Sequence, residues 1–319
     1  MSISSSLFGR SNRAVRKLSI RLGSGLLALG LSVGSLGVGV ALPAFAADPF
    51  RTSSPHDIGE LTEAAFQAIF RDGDYEEAQQ ILQAAETAEA DEPLVHAMLA
   101  SMAYLEGDAG LEEVARRATL TREAAEALVE TDPLRGHLYT AVGVFLEGAY
   151  VLQTEGVAKG TPRALGMLQT VFSELDAAER IDPTDSELNL LKGYMDLMLA
   201  VNLPFSNPEE AISRMDQYGN PVYLTQRGIA IGYRDLAQYD AAMIAVDKAI
   251  AAAPENPELF YLKAQLHARL GNGDESVEYF NRALAYEDQL PENLVRRITW
   301  EGCIAEGVPG QTCSDRVGY

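Results

Sequence analysis

The sequence predicts an all-α solenoid of about six helix-turn-helix hairpins with a carboxy-terminal capping helix, and three observations predict it. The first is residues 237–266, "AQYDAAMIAVDKAIAAAPENPELFYLKAQL", where an alanine-rich helical run stops at Pro-Glu-Asn-Pro and a second helical run starts at once. Proline cannot continue a helix, and alanine lets a neighbouring helix approach closely, so this stretch is one hairpin packed against the next. The second is that the pattern returns at an offset of 34 residues. The third is that "ALVETDPLRGHLY" and "AERIDPTDSELNL" put Pro133 and Pro183 where Pro254 stands, each leading into a new helix.

At the amino terminus, residues 1–46 carry five basic side chains (Arg10, Arg13, Arg16, Lys17, Arg21) and no acid. An apolar run from Leu22 to Leu42, broken by glycines from Gly23 to Gly39, precedes Ala44-Phe45-Ala46. This is the order of a cleaved secretory signal peptide, with a retained anchor as the alternative. No cysteine lies near the cleavage site and no arginine pair precedes the run, which points to the general secretion route without a lipid anchor. The compartment is then the periplasm, or another extracytoplasmic space such as a thylakoid lumen. Residues 47–57 are expected to form a disordered linker, and no later stretch is apolar enough to span a membrane.

Of 319 residues, 47% are apolar and 22% charged, enough to bury a sizeable core. The formal charge is −21; without the first 46 residues, 20 basic side chains face 46 acidic ones, a charge of −26. A surface this acidic repels phosphate backbones and anionic lipid, so nucleic acid is excluded as a partner.

The repeat region covers 58–290. Aligning 223–256 with 257–290 brings together small residues at the eighth place (Ala230, Ala264) and rings at the eleventh (Tyr233, His267). Ala242 and Ser276 share the twentieth place, Val246 and Phe280 the twenty-fourth, and Ala249 and Ala283 the twenty-seventh. Residues 59–92 keep the frame with Ala78, Leu82 and Ala85, although Phe66 fills the eighth place; Gly143 and Gly193 hold that place in two further helices. Two insertions, "TEGVAKGTPRAL" and "VNLPFSNPEEA", interrupt the period at turns inside hairpins and are expected to project from one edge. Thr161-Pro162 and Asn207-Pro208 should restart helices as cap and first-turn proline. "GVAKG" lacks the second half of a phosphate loop and no strand precedes it.

Residues 291–319 are expected to form a capping helix and a tail closed by Cys303 and Cys313, which have no competing cysteine. In an exported chain a disulfide is the simplest state of such a pair, with a dithiol or metal pair as the alternative.

These features resemble the tetratricopeptide repeat family, whose pattern is W-x2-L-G-x2-Y, then A-x3-F, then P. The match runs over about 59–290. It departs where no repeat has the first Trp and where Lys192 and Lys263 stand in place of Leu. The resemblance implies that the second, fifth, ninth, twelfth and thirteenth places line a concave groove. Those places hold Leu224, Arg227, Ile231, Arg234 and Asp235, then Glu258, Tyr261, Gln265, Ala268 and Arg269, with Leu190, Tyr194, Leu197 and Met198 before them. The candidate ligand-binding residues are accordingly Tyr194, Arg227, Arg234, Tyr261, Gln265 and Arg269. The alternative is that the arginines pair with neighbouring carboxylates. The Lys and Asn of the family's two-carboxylate clamp are absent, so the resemblance does not extend to binding of a carboxy-terminal acidic tail.

No catalytic constellation is present: His56, His96, His137 and His267 are scattered, and no nucleophile signature surrounds either cysteine. The pairs Glu76-Glu77, Glu112-Glu113 and Glu209-Glu210 read as first-turn residues that complement helix dipoles. The sequence therefore points to a non-catalytic protein-interaction scaffold without cofactor or metal, binding a peptide or partner subunit. A solute-binding component of a transport system, taking a small anionic ligand, is the alternative.

Overall fold

The computed structural model describes residues 48–51, 53–202 and 207–318. The expected signal peptide, 1–46, lies outside the described residues. Helices follow one another in pairs. α1 (Glu60–Phe66) runs into a π-helical turn at Gln67–Asp72 and pairs with α2 (Tyr75–Ala88). α3 (Pro93–Leu105) pairs with α4 (Leu111–Leu128), and α5 (Pro133–Glu155) with α6 (Val157–Ile181). α7 (Ser186–Asn202) pairs with α8 (Pro208–Tyr218), α9 (Val222–Asp235) with α10 (Tyr239–Ala252), and α11 (Pro257–Leu270) with α12 (Gly273–Leu284). α13 (Glu292–Ala305) caps the last pair and α14 (Gly310–Val317) folds back on it. The described residues contain no strand.

The sequence sets these boundaries through local chemistry. Pro93, Pro133, Pro208 and Pro257 open their helices, where the missing N–H has no intrahelical partner to lose. Asp74, Asp132, Asn207 and Asn256 accept from backbone N–H groups of the turns that follow them. The acidic pairs at 76–77, 112–113 and 209–210 lie in first turns. Every repeat-defining small residue aligned above is fully buried, as are Val246, Leu82 and Phe280. At Gly143 there is no room for a side chain: a Cβ there would stand 2.7 Å from the backbone nitrogen of Arg122 on α4. The two lysines that depart from the family pattern make ion pairs, Lys192 with Glu179 and Lys263 with Asp247.

Two expectations are corrected. The first insertion is not a loop: it lengthens both helices of its hairpin, leaving Gly156, at φ 75°, as the link between α5 and α6. Pro162 lies inside α6 rather than opening it, because the helix has already begun at Val157. The second insertion partly coincides with 203–206, outside the described residues, and Asn207-Pro208 caps and opens α8 as expected.

Within 47–57, expected to be a disordered linker, Asp48 and Phe50 are instead buried, while Ser53, Ser54, Pro55 and Asp57 are exposed. Phe50 is 1% exposed and meets Phe66 edge-on at 4.8 Å between ring centroids. Burying such a ring stabilises by about 2 kcal/mol. Beside it, the Arg51 guanidinium donates to Asp48, Asp185 and Glu187. Glu187, 0% exposed, also accepts from Arg135 Nε at 3.1 Å and the Tyr139 hydroxyl at 2.6 Å. Arg135, 1% exposed, forks onto both oxygens of Glu92 at 2.8 and 2.9 Å. Burial alone would raise the Glu187 carboxyl, but Arg135 and Arg51 together outweigh it and hold it below the usual carboxylate range. For Glu92 burial prevails over Arg135, and its carboxyl is raised.

The chain also closes on itself. The π-turn packs on α9, and α2 packs on a 3-10 turn at Glu287–Gln289. Three asparagines near the starts of α9, α11 and α13 donate side-chain amides to backbone carbonyls of the amino-terminal half. Asn220 reaches Phe50 O at 3.0 Å, Asn256 reaches Phe70 O and Arg71 O at 3.1 Å, and Asn293 reaches Leu105 O at 3.1 Å. Asn256 performs two tasks, since its Oδ1 also accepts from Glu258 N at 2.9 Å. Cys303 and Cys313 form a disulfide that ties α13 to α14.

Candidate functional site

Residues of α7, α9, α11 and α13 occupy the face that the resemblance assigns to the groove. Its upper part, near the helix starts, is occupied by the chain itself. Arg227 pairs with Glu258 of the next helix, and Tyr75, from α2, donates its hydroxyl to the same carboxylate at 2.6 Å. Burial opposes the charge of Arg227, yet Glu258 outweighs it and raises the guanidinium above its ordinary value. Tyr194 donates to Leu224 O at 2.7 Å, and burial pushes its hydroxyl up. Leu190 and Leu224 are buried. Arg227 is therefore satisfied by the chain itself, and both it and Tyr194 are half-buried.

Lower down, a ladder of polar contacts crosses three helices. Arg234 donates Nε to Asp235 and Nη1 to Gln265, both at 2.9 Å. Gln265 donates to Glu301 on α13 at 2.8 Å, and Glu301 also accepts from Tyr261 and Arg297. Burial, reinforced by Glu301, pushes the Tyr261 hydroxyl up. Arg269 is exposed beside this ladder and forms no ion pair among the described residues. The six predicted residues thus divide: Arg234, Gln265 and Arg269 line one recess, Tyr261 is bonded to Glu301 of that recess, Tyr194 lines an adjoining recess, and Arg227 lines neither.

Two adjoining recesses open along this lower part and share Asp235 as a wall. One, of about 500 Å³, lies between Arg234, Arg269 and Arg297 on its polar side and Phe280, Trp300 and Ile304 on its apolar side. The other, of about 560 Å³, is framed by Leu197, Met198, Pro208, Ile231 and Leu236. Met198 is 56% exposed and Ile304 38%. Leaving large apolar side chains in water forgoes favourable burial.

Sequence reasoning missed Trp300, Glu301, Arg297 and Ile304, because α13 was expected only to cover the last hairpin. The 3-10 turn at Glu287–Gln289 lengthens the connection, so Glu301 of α13 meets Gln265 of α11 at an offset of 36 rather than 34. Asn220 and Asn256 also went unnoticed; their signal is an Asn immediately before a Pro at the start of two successive first helices. Among the described residues no group of three or more His, Cys, Asp or Glu could hold a metal ion, and no helix is long and apolar enough to cross a membrane.

Fold and groove together define an all-α solenoid of tetratricopeptide-like hairpins. The family model of the tetratricopeptide repeat matches residues 257–289, which contain α11 and α12. Among solved structures, the chain is similar to that of PilW, described as a widely conserved type IV pilus biogenesis factor. The two are 17% identical, with a TM-score of 0.45, over 70% of this chain and 90% of that one. No curated protein matches the sequence.

Proposed function

We propose that this protein is a non-catalytic scaffold of an extracytoplasmic compartment, holding a partner protein in the lower part of its concave face. One observation carries the proposal: the trough from Met198 to Ile304 leaves large apolar side chains and Arg269 open to solvent. The tetratricopeptide match is in keeping with a protein partner. A small solute fits this surface less well, since small-molecule sites enclose most of their ligand, whereas Met198 is more than half exposed. Export is supported by the leader-like sequence at 1–46 and by the Cys303–Cys313 disulfide, which suits an oxidising space.

The test is affinity purification of the tagged protein from its native host, with mass spectrometry, beside a Met198→Asp/Ile304→Asp variant of unchanged helicity. An envelope protein recovered with the parent and lost with the variant is the expected result. Equal recovery by both would place the interaction elsewhere on the molecule.

A further inference from the structure

Resting on the export reading, we infer that residues 48–57 form a strap whose docking puts the bond between Ala46 and Ala47 out of a peptidase's reach, so that the leader is removed before this part of the fold closes. Processed chains close, and a chain that closes unprocessed stays unprocessed.

The argument begins with what the strap closes. Arg51 alone serves three carboxylates: its Nε donates to Asp185 at 2.6 Å, and its Nη1 donates to Asp48 at 2.8 Å and to Glu187 at 3.0 Å. Asp185 pairs with no other cation among the described residues. Phe50 lies against Phe66 of α1, and Asn220, just before α9, donates its amide to the carbonyls of Pro49 and Phe50. The far end is tied as well. His56 donates its backbone N–H to Asp48 at 3.1 Å, and its ring meets Asp132, the cap of α5. With the strap undocked, Asp185 keeps no cation and Glu187 keeps Arg135 alone, which leaves negative charge unbalanced where both carboxylates are buried. Docking therefore joins the starts of α1, α5, α7 and α9.

The second part is the position of the cut. Only Ala47 stands between the bond to be cut and Asp48, whose fully buried carboxylate accepts from Phe50, Arg51 and His56. A peptidase takes its substrate as an extended stretch on both sides of the bond, so a stretch that is buried and hydrogen-bonded must first open. The docked strap withholds it. The uncut chain is restrained from the other side too, because Asp48 follows Leu42, the end of the apolar run, by six residues, a reach of at most about 20 Å. While that run lies in a bilayer, a body with 20 basic against 46 acidic side chains is held close to a surface whose anionic lipids repel it. Removing the leader releases the tether and lets the strap dock.

The test replaces residues 1–46 with a soluble tag ending in the recognition sequence of a site-specific protease, so that the cut falls before Ala47. Three folded proteins are then compared for their rate of cutting. They are this parent chain, the same chain with a spacer of about ten Gly and Ser residues between Ala47 and Asp48, and a Phe50→Asp/Arg51→Asp variant. The spacer keeps every contact of the strap and moves only the bond, so it decides the matter even where the double variant does not fold. Cutting of the parent about tenfold or more slowly than of the spacer protein, and of the double variant when folded, is the expected result. Equal rates for parent and spacer protein would overturn the inference and leave the export reading standing. A folded double variant cut no faster than the parent would overturn it as well. Amino-terminal sequencing of the protein from its native host tests the export reading separately. A chain beginning at Ala47 supports that reading, whereas a folded chain beginning at Met1 refutes both it and the order of events inferred from it.

Discussion

The pairs from α9 to α12 and the region from residue 48 to α7 meet the same packing requirement with different chemistry. In the former, Ala230, Ala242, Ala249, Ala264 and Ala283 are buried at a strict 34-residue offset, and helices meet through small apolar side chains. In the latter, α3, α5, α7 and the segment at 48–51 converge on Arg135 and Glu187, two buried charges that satisfy one another. Alanine contacts leave a pair indifferent to what lies across the groove. A buried ion network ties four separate stretches of sequence to one arrangement, because each charge is tolerable only with its partners in place. The amino-terminal half lies against the starts of α9, α11 and α13.

The largest expected effect comes from breaking that network. Arg135→Met leaves Glu92 and Glu187 short of a partner in the interior and should lower stability by about 3–5 kcal/mol in chemical denaturation. The variant should also respond to pH in a particular sense. Glu92, already raised by burial, loses its opposing guanidinium and rises further, so it favours the folded state only when protonated. A group with a raised folded value contributes stability below its unfolded value and loses it as pH rises. Acidification from pH 7 towards 5 should therefore return part of the lost stability to the variant. A loss that does not diminish on acidification would mean that Glu92 is not left as an unpaired buried charge.

A smaller effect is expected where the two halves meet. Asn256→Asp keeps the oxygen that caps α11 but replaces the amide that donates to Phe70 O and Arg71 O with an acceptor. Two carbonyls lose their donor and face a carboxylate, which should cost about 2 kcal/mol in thermal or denaturant unfolding. Asn256→Ser, which keeps a capping oxygen and adds no charge, should cost less. Equal stability of Asn256→Asp and the parent would show that the amide does not bridge the halves.

The regular half was legible in the sequence because its physics is local. Spacing of alanines, proline breaks and the cap at Asn207 specify a hairpin without knowledge of what it touches. The closure was not legible, since Asn220, Asn256 and Asn293 look like turn and first-turn residues until the carbonyls they meet are known. Glu92 and Glu187 were hidden in the same way: an acid at a helix start is already explained by the dipole. Of the residues expected in the groove, Arg234, Gln265 and Arg269 line one recess. Repeat register misjudged Arg227, which periodicity aligns with the groove but which Tyr75 and Glu258, far apart in sequence, enclose. The expected linker failed for a related reason, as Phe50 and Arg51 find partners in α1 and α7 that composition does not reveal.

Division of the concave face into a self-occupied upper part and an open lower part depends on the first hairpin resting against α11. Spin labels at Glu76→Cys and Glu255→Cys report this directly, because both positions are exposed and the native cysteines are joined to each other. Double electron–electron resonance should give one narrow, short distance, unchanged by dilution. A broad or long distribution would mean that the first hairpin leaves the groove in solution, that Arg227 is open to ligands, and that the division is wrong.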